Sequence, residues 1–217
     1  MSSLKHPGDN FVPSEDHDHL AGKVALVTGA GRGSGRMLAL ALAAHGVVVA
    51  ANDISPVNVE PLVDEIRAAG GRARAYIHDI AKKVDVQVMV NNVTDDFGHI
   101  DILVNSANVQ VPTSLLSIDE WDLHRIFEVN VIGTLLVMQS VGRVMRTQDG
   151  GIVVNLVKIG ADAPATFIAG RGGIAAMTTR IDVELSEYGI RVFSLADENP
   201  LEALLAICRQ AWTQPAK

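Results

Sequence analysis

The sequence predicts a doubly wound α/β domain, a parallel sheet of about six strands with helices on both faces. Three observations carry that expectation. From Lys23 onward, short β-branched runs alternate with longer amphipathic stretches, the rhythm of βαβ units. The segment 28–35, TGAGRGSG, lies between the first of those runs and an alanine-rich helical pattern. The length, 217 residues, suits one domain, since domains typically hold about 100–200 residues.

Taken in order, the strands are expected at Val24–Thr28, Val47–Asn52, Ala73–His78, Ile102–Asn105, Ile152–Leu156 and Arg191–Leu195. The helices between and after them are expected at Gly33–His45, Val57–Ala69, Ala81–Phe97, Asp119–Thr147, Pro164–Glu187 and Pro200–Trp212. Gly46 and Gly70 stand where left-handed helix stops belong, and Ser117 with Glu120 reads as a capping box opening the fourth helix. Residues 1–20, rich in Ser, Pro, Gly, Asp and His without periodicity, read as a flexible leader, and 21–217 as a single domain. His17 and His19 are too few for a metal site, which needs three or four convergent ligands.

Composition removes several classes of function. The net charge of −7 has the wrong sign for gripping a phosphate backbone, so nucleic acid is not an expected partner. Hydrophobic residues make up 48% of the chain, which excludes global disorder, yet apolar runs such as Met37–Ala44 are far too short to span a bilayer. A single cysteine, Cys208, allows no internal disulfide, and the N-terminus lacks the layout of a signal peptide. A reducing cytoplasm is the expected location, with Cys208 in a helix core.

The glycine-rich turn has the context that gives such a motif meaning. Glycines let the backbone turn tightly and approach a pyrophosphate, which the free N–H groups and dipole of the following helix then stabilise. Gly29, Arg32, Gly33, Ser34 and Gly35 are the candidate phosphate-binding residues. Asp53 ends the second strand 24 residues after Gly29, close to where an acidic residue accepts hydrogen bonds from an adenosine ribose. Its alternative role is to cap the next helix. A carboxylate there repels a 2′-phosphate and favours NAD over NADP, an effect that Arg32 partly offsets.

With these residues in place, the sequence resembles the short-chain dehydrogenase/reductase family over the stretch 20–195. The turn TGAGRGSG matches the family's TGxxxGxG, and Asp79–Ile80 matches its adenine-contacting pair. ILVNSAN at 102–108 is similar to the family's LVNNAG segment and contributes Asn105, Ser106 and Ala107 to the cofactor site. VNVIG at 129–133 resembles the stretch carrying the family's active-site asparagine, here Asn130, and YGIRV at 188–192 matches the approach to the sixth strand. The resemblance implies a Rossmann-type fold, a nicotinamide dinucleotide cofactor, and hydride transfer between that cofactor and an alcohol or carbonyl.

The same resemblance assigns a serine, a tyrosine and a lysine to the catalytic centre, and this sequence departs from all three. Aligned on IVVNLVKIG, the serine position holds Lys158. Aligned on FIAGRGGIAAMT, the tyrosine position holds Phe167 and the lysine position Arg171. Phenylalanine has no proton to exchange, and arginine does not replace lysine in geometry or proton exchange. Asn108 replaces a glycine of the family's NNAG, and Asp197 and Glu198 replace a Pro-Gly pair and would face the cofactor's negative charge. The residues after Glu198 suffice for about one helix, short of the family's substrate lid and seventh strand.

Three functions follow as expectations. The first is a catalytically silent or weakened family member that still binds NAD or another adenine nucleotide. The second is an active oxidoreductase in which Lys158 has taken over as acid/base. The third is a structural domain that binds no nucleotide. A homodimer through the helices 119–147 and 164–187 is expected by resemblance, with Trp121, Phe127, Val131, Leu135 and Met138 supplying apolar surface at helical spacing.

Overall fold

The computed structural model describes residues 19–148, 150–197 and 199–213. Six strands, β1 (Val24–Thr28), β2 (Val48–Asp53), β3 (Ala73–Ile77), β4 (Ile102–Asn105), β5 (Gly151–Leu156) and β6 (Ile190–Leu195), pair in the order β3-β2-β1-β4-β5-β6. Every pairing is parallel. Such a sheet is covered on both faces, which explains why β1, β2 and β4 are buried along their whole length.

Among the described residues seven α-helices cover it: α1 (Gly33–Ala44), α2 (Pro56–Ala68), α3 (Lys83–Phe97), α4 (Glu120–Phe127), α5 (Thr134–Thr147), α6 (Ala165–Leu185) and α7 (Pro200–Thr213). Alternate residues of each strand point to opposite faces, and the core divides accordingly. Ala25 and Val27 of β1 join Leu38 and Leu42 of α1, Leu62 and Ile66 of α2, and Leu204 and Cys208 of α7. Val24 and Leu26 join Met89 and Val93 of α3 and Val137, Val141 and Met145 of α5 on the other side, with Ile181 and Leu185 of α6 packed against them. Cys208 is fully buried, as expected of helix core.

The six strands fall within a residue or two of their expected positions. Gly46 and Gly70 end the first two helical segments at φ +77° and +84°, values glycine adopts at no steric cost. Two local expectations need correction. The capping box does not form: Asp119 caps α4 by accepting the Asp122 N–H at 2.8 Å, while the Ser114 hydroxyl donates to that of Ser117 within the preceding turn. The helix expected over 119–147 is interrupted by a π-helical turn, Glu128–Gly133, between α4 and α5. Asn130 lies in that turn, and such turns concentrate at functional sites.

His17 lies outside the described residues. Among the described residues no helix is long and apolar enough to cross a membrane.

Candidate functional site

The strand order reverses between β1 and β4, and a crevice opens at their carboxyl ends, where ligands bind in doubly wound sheets. A cavity of about 630 Å³ occupies that crevice. Thr28 at the end of β1 organises its floor: its hydroxyl accepts the backbone N–H groups of Ser106 and Ala107 at 3.2 and 3.3 Å.

On the β2–β3 side, Gly29, Arg32, Gly33 and Ser34 line the cavity where α1 begins. Arg32 is the N-cap and makes no side-chain cap bond, and the first turn of α1 contains no acidic residue. The leading N–H groups of the helix and its dipole are therefore offered to an anion. Gly33 has φ +57°, and the space a Cβ would take there is open. Gly35 does not line the cavity; it lies beneath the turn, where a Cβ would strike the Gly29 carbonyl and approach the Ser106 Oγ to 2.8 Å.

Asp53 lines the same side and is buried. Its Oδ2 accepts the Gly31 N–H at 3.1 Å and its Oδ1 the Ser55 N–H at 3.0 Å. A carboxylate offers about four acceptor sites, so two remain for a ribose diol. Asp53 does not cap α2, whose N-cap is Ser55 without a side-chain cap bond; it braces the loop ahead of that helix instead. Asp79 and Ile80 complete this side, with Arg125 of α4 donating to Asp79 Oδ2 at 3.3 Å. An uncapped helix start, an open glycine and a buried carboxylate with spare acceptors together fit an adenosine diphosphate moiety.

The β4–β5 side is built differently. Ser106, Ala107 and Asn108 line it after β4, and Leu156 at the end of β5 with Lys158 and Gly160 after it. Asn108 Nδ2 donates to the Ser106 carbonyl at 2.9 Å, bracing the loop from within. From α6 come Phe167 and Arg171, both buried. The Arg171 guanidinium lies 5.4 Å from the Phe167 ring centroid, within cation–π range. Its Nη1 donates to the Leu156 carbonyl, and its buried Nε–H has no partner. Burial pushes Arg171 down to about 10, because desolvation disfavours the charged form. Lys158 lines this end from an exposed position.

Of the residues expected at the site, Gly35, Asn105 and Asn130 lie behind the cavity wall. Asn105 Nδ2 donates to Asn155 Oδ1 at 2.9 Å and stitches β4 to β5. Asn130 Nδ2 donates to the Val109 carbonyl at 2.8 Å, and its Oδ1 accepts the Val109 N–H at 2.7 Å. Asn130 is therefore a positioning residue for the loop after β4. Asp197 is exposed and accepts the Asn199 N–H at 2.8 Å; it is not part of the cavity wall, contrary to the expectation that it faces the cofactor. Glu198 lies outside the described residues. Sequence reasoning missed Arg125, His78 and Gln110 as lining residues, and nothing in their local pattern marks them.

The model for "short chain dehydrogenase" matches residues 23–197, which spans both sides of this cavity. The chain belongs to the short-chain dehydrogenase family. It is 34% identical over 209 residues to D-threitol dehydrogenase of Mycolicibacterium smegmatis, covering 93% of this chain and 78% of that one. Among solved structures, NAD+-bound xylitol dehydrogenase is 34% identical with a TM-score of 0.78, covering 82% of this chain and 70% of the other. The 7α-hydroxysteroid dehydrogenase complexed with NADH and 7-oxo glycochenodeoxycholic acid is 28% identical with a TM-score of 0.78, covering 85% and 74%. The family and these two dinucleotide-bound neighbours support a nicotinamide dinucleotide as the cofactor of this short-chain dehydrogenase relative.

Proposed function

We propose that the chain binds an adenine dinucleotide, NAD in preference to NADP, and is catalytically silent in hydride transfer. The observation that carries this reading is Phe167. The position assigned by resemblance to the proton-exchanging tyrosine holds a ring without a hydroxyl, at the β5 end of the cavity. When bound, the nicotinamide supplies or takes up hydride; the protein has to move the proton. The chain's two tyrosines are elsewhere: the Tyr76 hydroxyl donates to Asp96 at 2.7 Å, and Tyr188 lines a groove between α5 and α6. Lys158, the alternative acid/base, lines the same end of the cavity from an exposed position.

The preference for NAD rests on Asp53, whose buried carboxylate opposes a 2′-phosphate. A homodimer through α4, α5 and α6 forms part of the same proposal. Trp121 on α4 is 73% exposed, and Leu135 and Tyr188 lie along the groove of α5 and α6. Phe127, Val131 and Leu135 are half-buried and Met138 is buried, so these four serve the core as well.

Calorimetric titration with ADP, NAD and NADP, beside turnover assays with threitol, xylitol and a hydroxysteroid, tests the reading. The expected result is binding of ADP and NAD, weaker binding of NADP, and no turnover. Asp53→Asn, which retains one acceptor oxygen, is expected to narrow the NAD preference. Turnover of any of these substrates overturns the silent assignment, and binding by none of the nucleotides overturns the whole reading.

A further inference from the structure

The two sides of the cavity differ in charge: the β2–β3 side is mixed and the β5 side is cationic. Among the described lining residues, both carboxylates, Asp53 and Asp79, share the β2–β3 side with Arg32 and Arg125, and the β5 side holds only cations, Lys158 and Arg171. Arg171 is the more unusual of the two. It is only 8% exposed, and among the described residues no carboxylate lies within ion-pair distance of it. Burying an uncompensated charge is expensive, and the Leu156 carbonyl and the Phe167 face offset only part of that cost. The Nε–H is buried without a partner, and the residue itself lines the open cavity. A planar guanidinium with spare donors is matched in shape and charge by an oxyanion.

We propose that the β5 end of the cavity is an oxyanion site in which Arg171, assisted by Lys158, binds a carboxylate or phosphate where the family carries out proton exchange. The anion has two sources: the distal group of a bound dinucleotide, as in a nicotinate in place of a nicotinamide, or a separate small acid beside the nucleotide. The first source rests on the dinucleotide reading above; the second does not.

Titrations of the full chain separate the possibilities. ADP alone tests the dinucleotide reading. Nicotinic acid adenine dinucleotide against NAD tests an anion carried by the dinucleotide, and succinate or inorganic phosphate, added with and without ADP, tests a free one. At least one anionic arm is expected to bind: the acid dinucleotide about tenfold tighter than NAD, or a free anion with saturable heat, as for a charge-assisted contact. Arg171→Gln is expected to abolish the effect and Arg171→Lys to retain part of it, each checked for folding by thermal unfolding. If Gln at this position prevents folding, the Lys variant and the wild-type comparison decide. Equal affinity for the two dinucleotides together with no free-anion binding overturns the proposal, as does an anion preference that survives Arg171→Gln. Should ADP fail to bind while succinate or phosphate binds through Arg171, the dinucleotide reading falls and the oxyanion site stands.

Discussion

Replacing Gly35 with alanine tests the packing that brings the start of α1 to the cavity. A Cβ at this position would meet the Gly29 carbonyl, its carbon at 3.0 Å and its oxygen closer still, and the Ser106 Oγ at 2.8 Å. The serine hydroxyl can rotate away, whereas the carbonyl belongs to the glycine turn itself. Relief therefore requires α1 to move outward from β1. Overpacking of this kind costs about 1–3 kcal/mol, and the better helix propensity of alanine returns less than about 1 kcal/mol so close to a helix end. The net loss, about 1–2 kcal/mol, corresponds to a fall in Tm of about 2–8 °C for a chain of this length. Thermal unfolding followed by circular dichroism measures the loss, and ADP titration measures the displaced helix start. Gly33→Ala is the control, because open space surrounds its Cβ position and only the φ of +57° is strained. That variant is expected to lose about 1–2 kcal/mol through the backbone alone. A Gly35→Ala protein with unchanged or raised Tm and undiminished ADP affinity would refute the close-packing argument.

Two further outcomes follow from single contacts. Asn130→Ala leaves both backbone groups of Val109 without their partner, a loss of about 1–3 kcal/mol; hydrogen exchange is expected to rise at 106–110 before it rises in β4. Burial pushes the Cys208 thiol up to about 12 from 9.0, so a thiol reagent at pH 8 is expected to label the native protein only as fast as α7 opens. The raised value also means that folding stability falls as pH rises from about 9 towards 12, because the unfolded thiol ionises first; a Cys208→Ala variant should lack that component of an alkaline melt.

The architecture was legible because its signals are local and repeat. A parallel strand buried on both faces reads as a continuous apolar run, as in VALVT and ILVN, and Gly46 and Gly70 mark helix ends by a conformation other residues avoid. The π-helical turn was not legible, because its cause is tertiary. Asn130 turns inward to bind both backbone groups of Val109, its carbonyl accepts the Thr134 hydroxyl at 3.0 Å, and the helical register yields between them. The capping error has a similar origin. Ser117 and Asp119 both suit an N-terminus, and the choice between them depends on where the turn carrying Ser114 closes.

At the site, glycine spacing reports backbone directly, and Gly29, Arg32, Gly33, Ser34, Asp53, Asp79 and Ile80 all line the cavity. Motif reading placed Gly35 and Asn105 at the ligand although they act one layer below, holding helix to strand and strand to strand. A motif records which residues a geometry needs without separating those that touch the ligand from those that support them. Arg125 illustrates the converse: it reaches Asp79 across 46 positions of sequence from a helix whose own pattern is that of a solvated face. The charge division of the cavity belongs to the same class of property. Asp53 and Asp79 with Arg32 and Arg125 on one side and Lys158 and Arg171 on the other are scattered along the chain, and only the reversal of strand order at β1 and β4 assembles them into a cavity with a mixed and a cationic end. Arg171 thus reads in sequence as one more basic residue of a helix and is, in the fold, a buried guanidinium whose Nε–H has no partner.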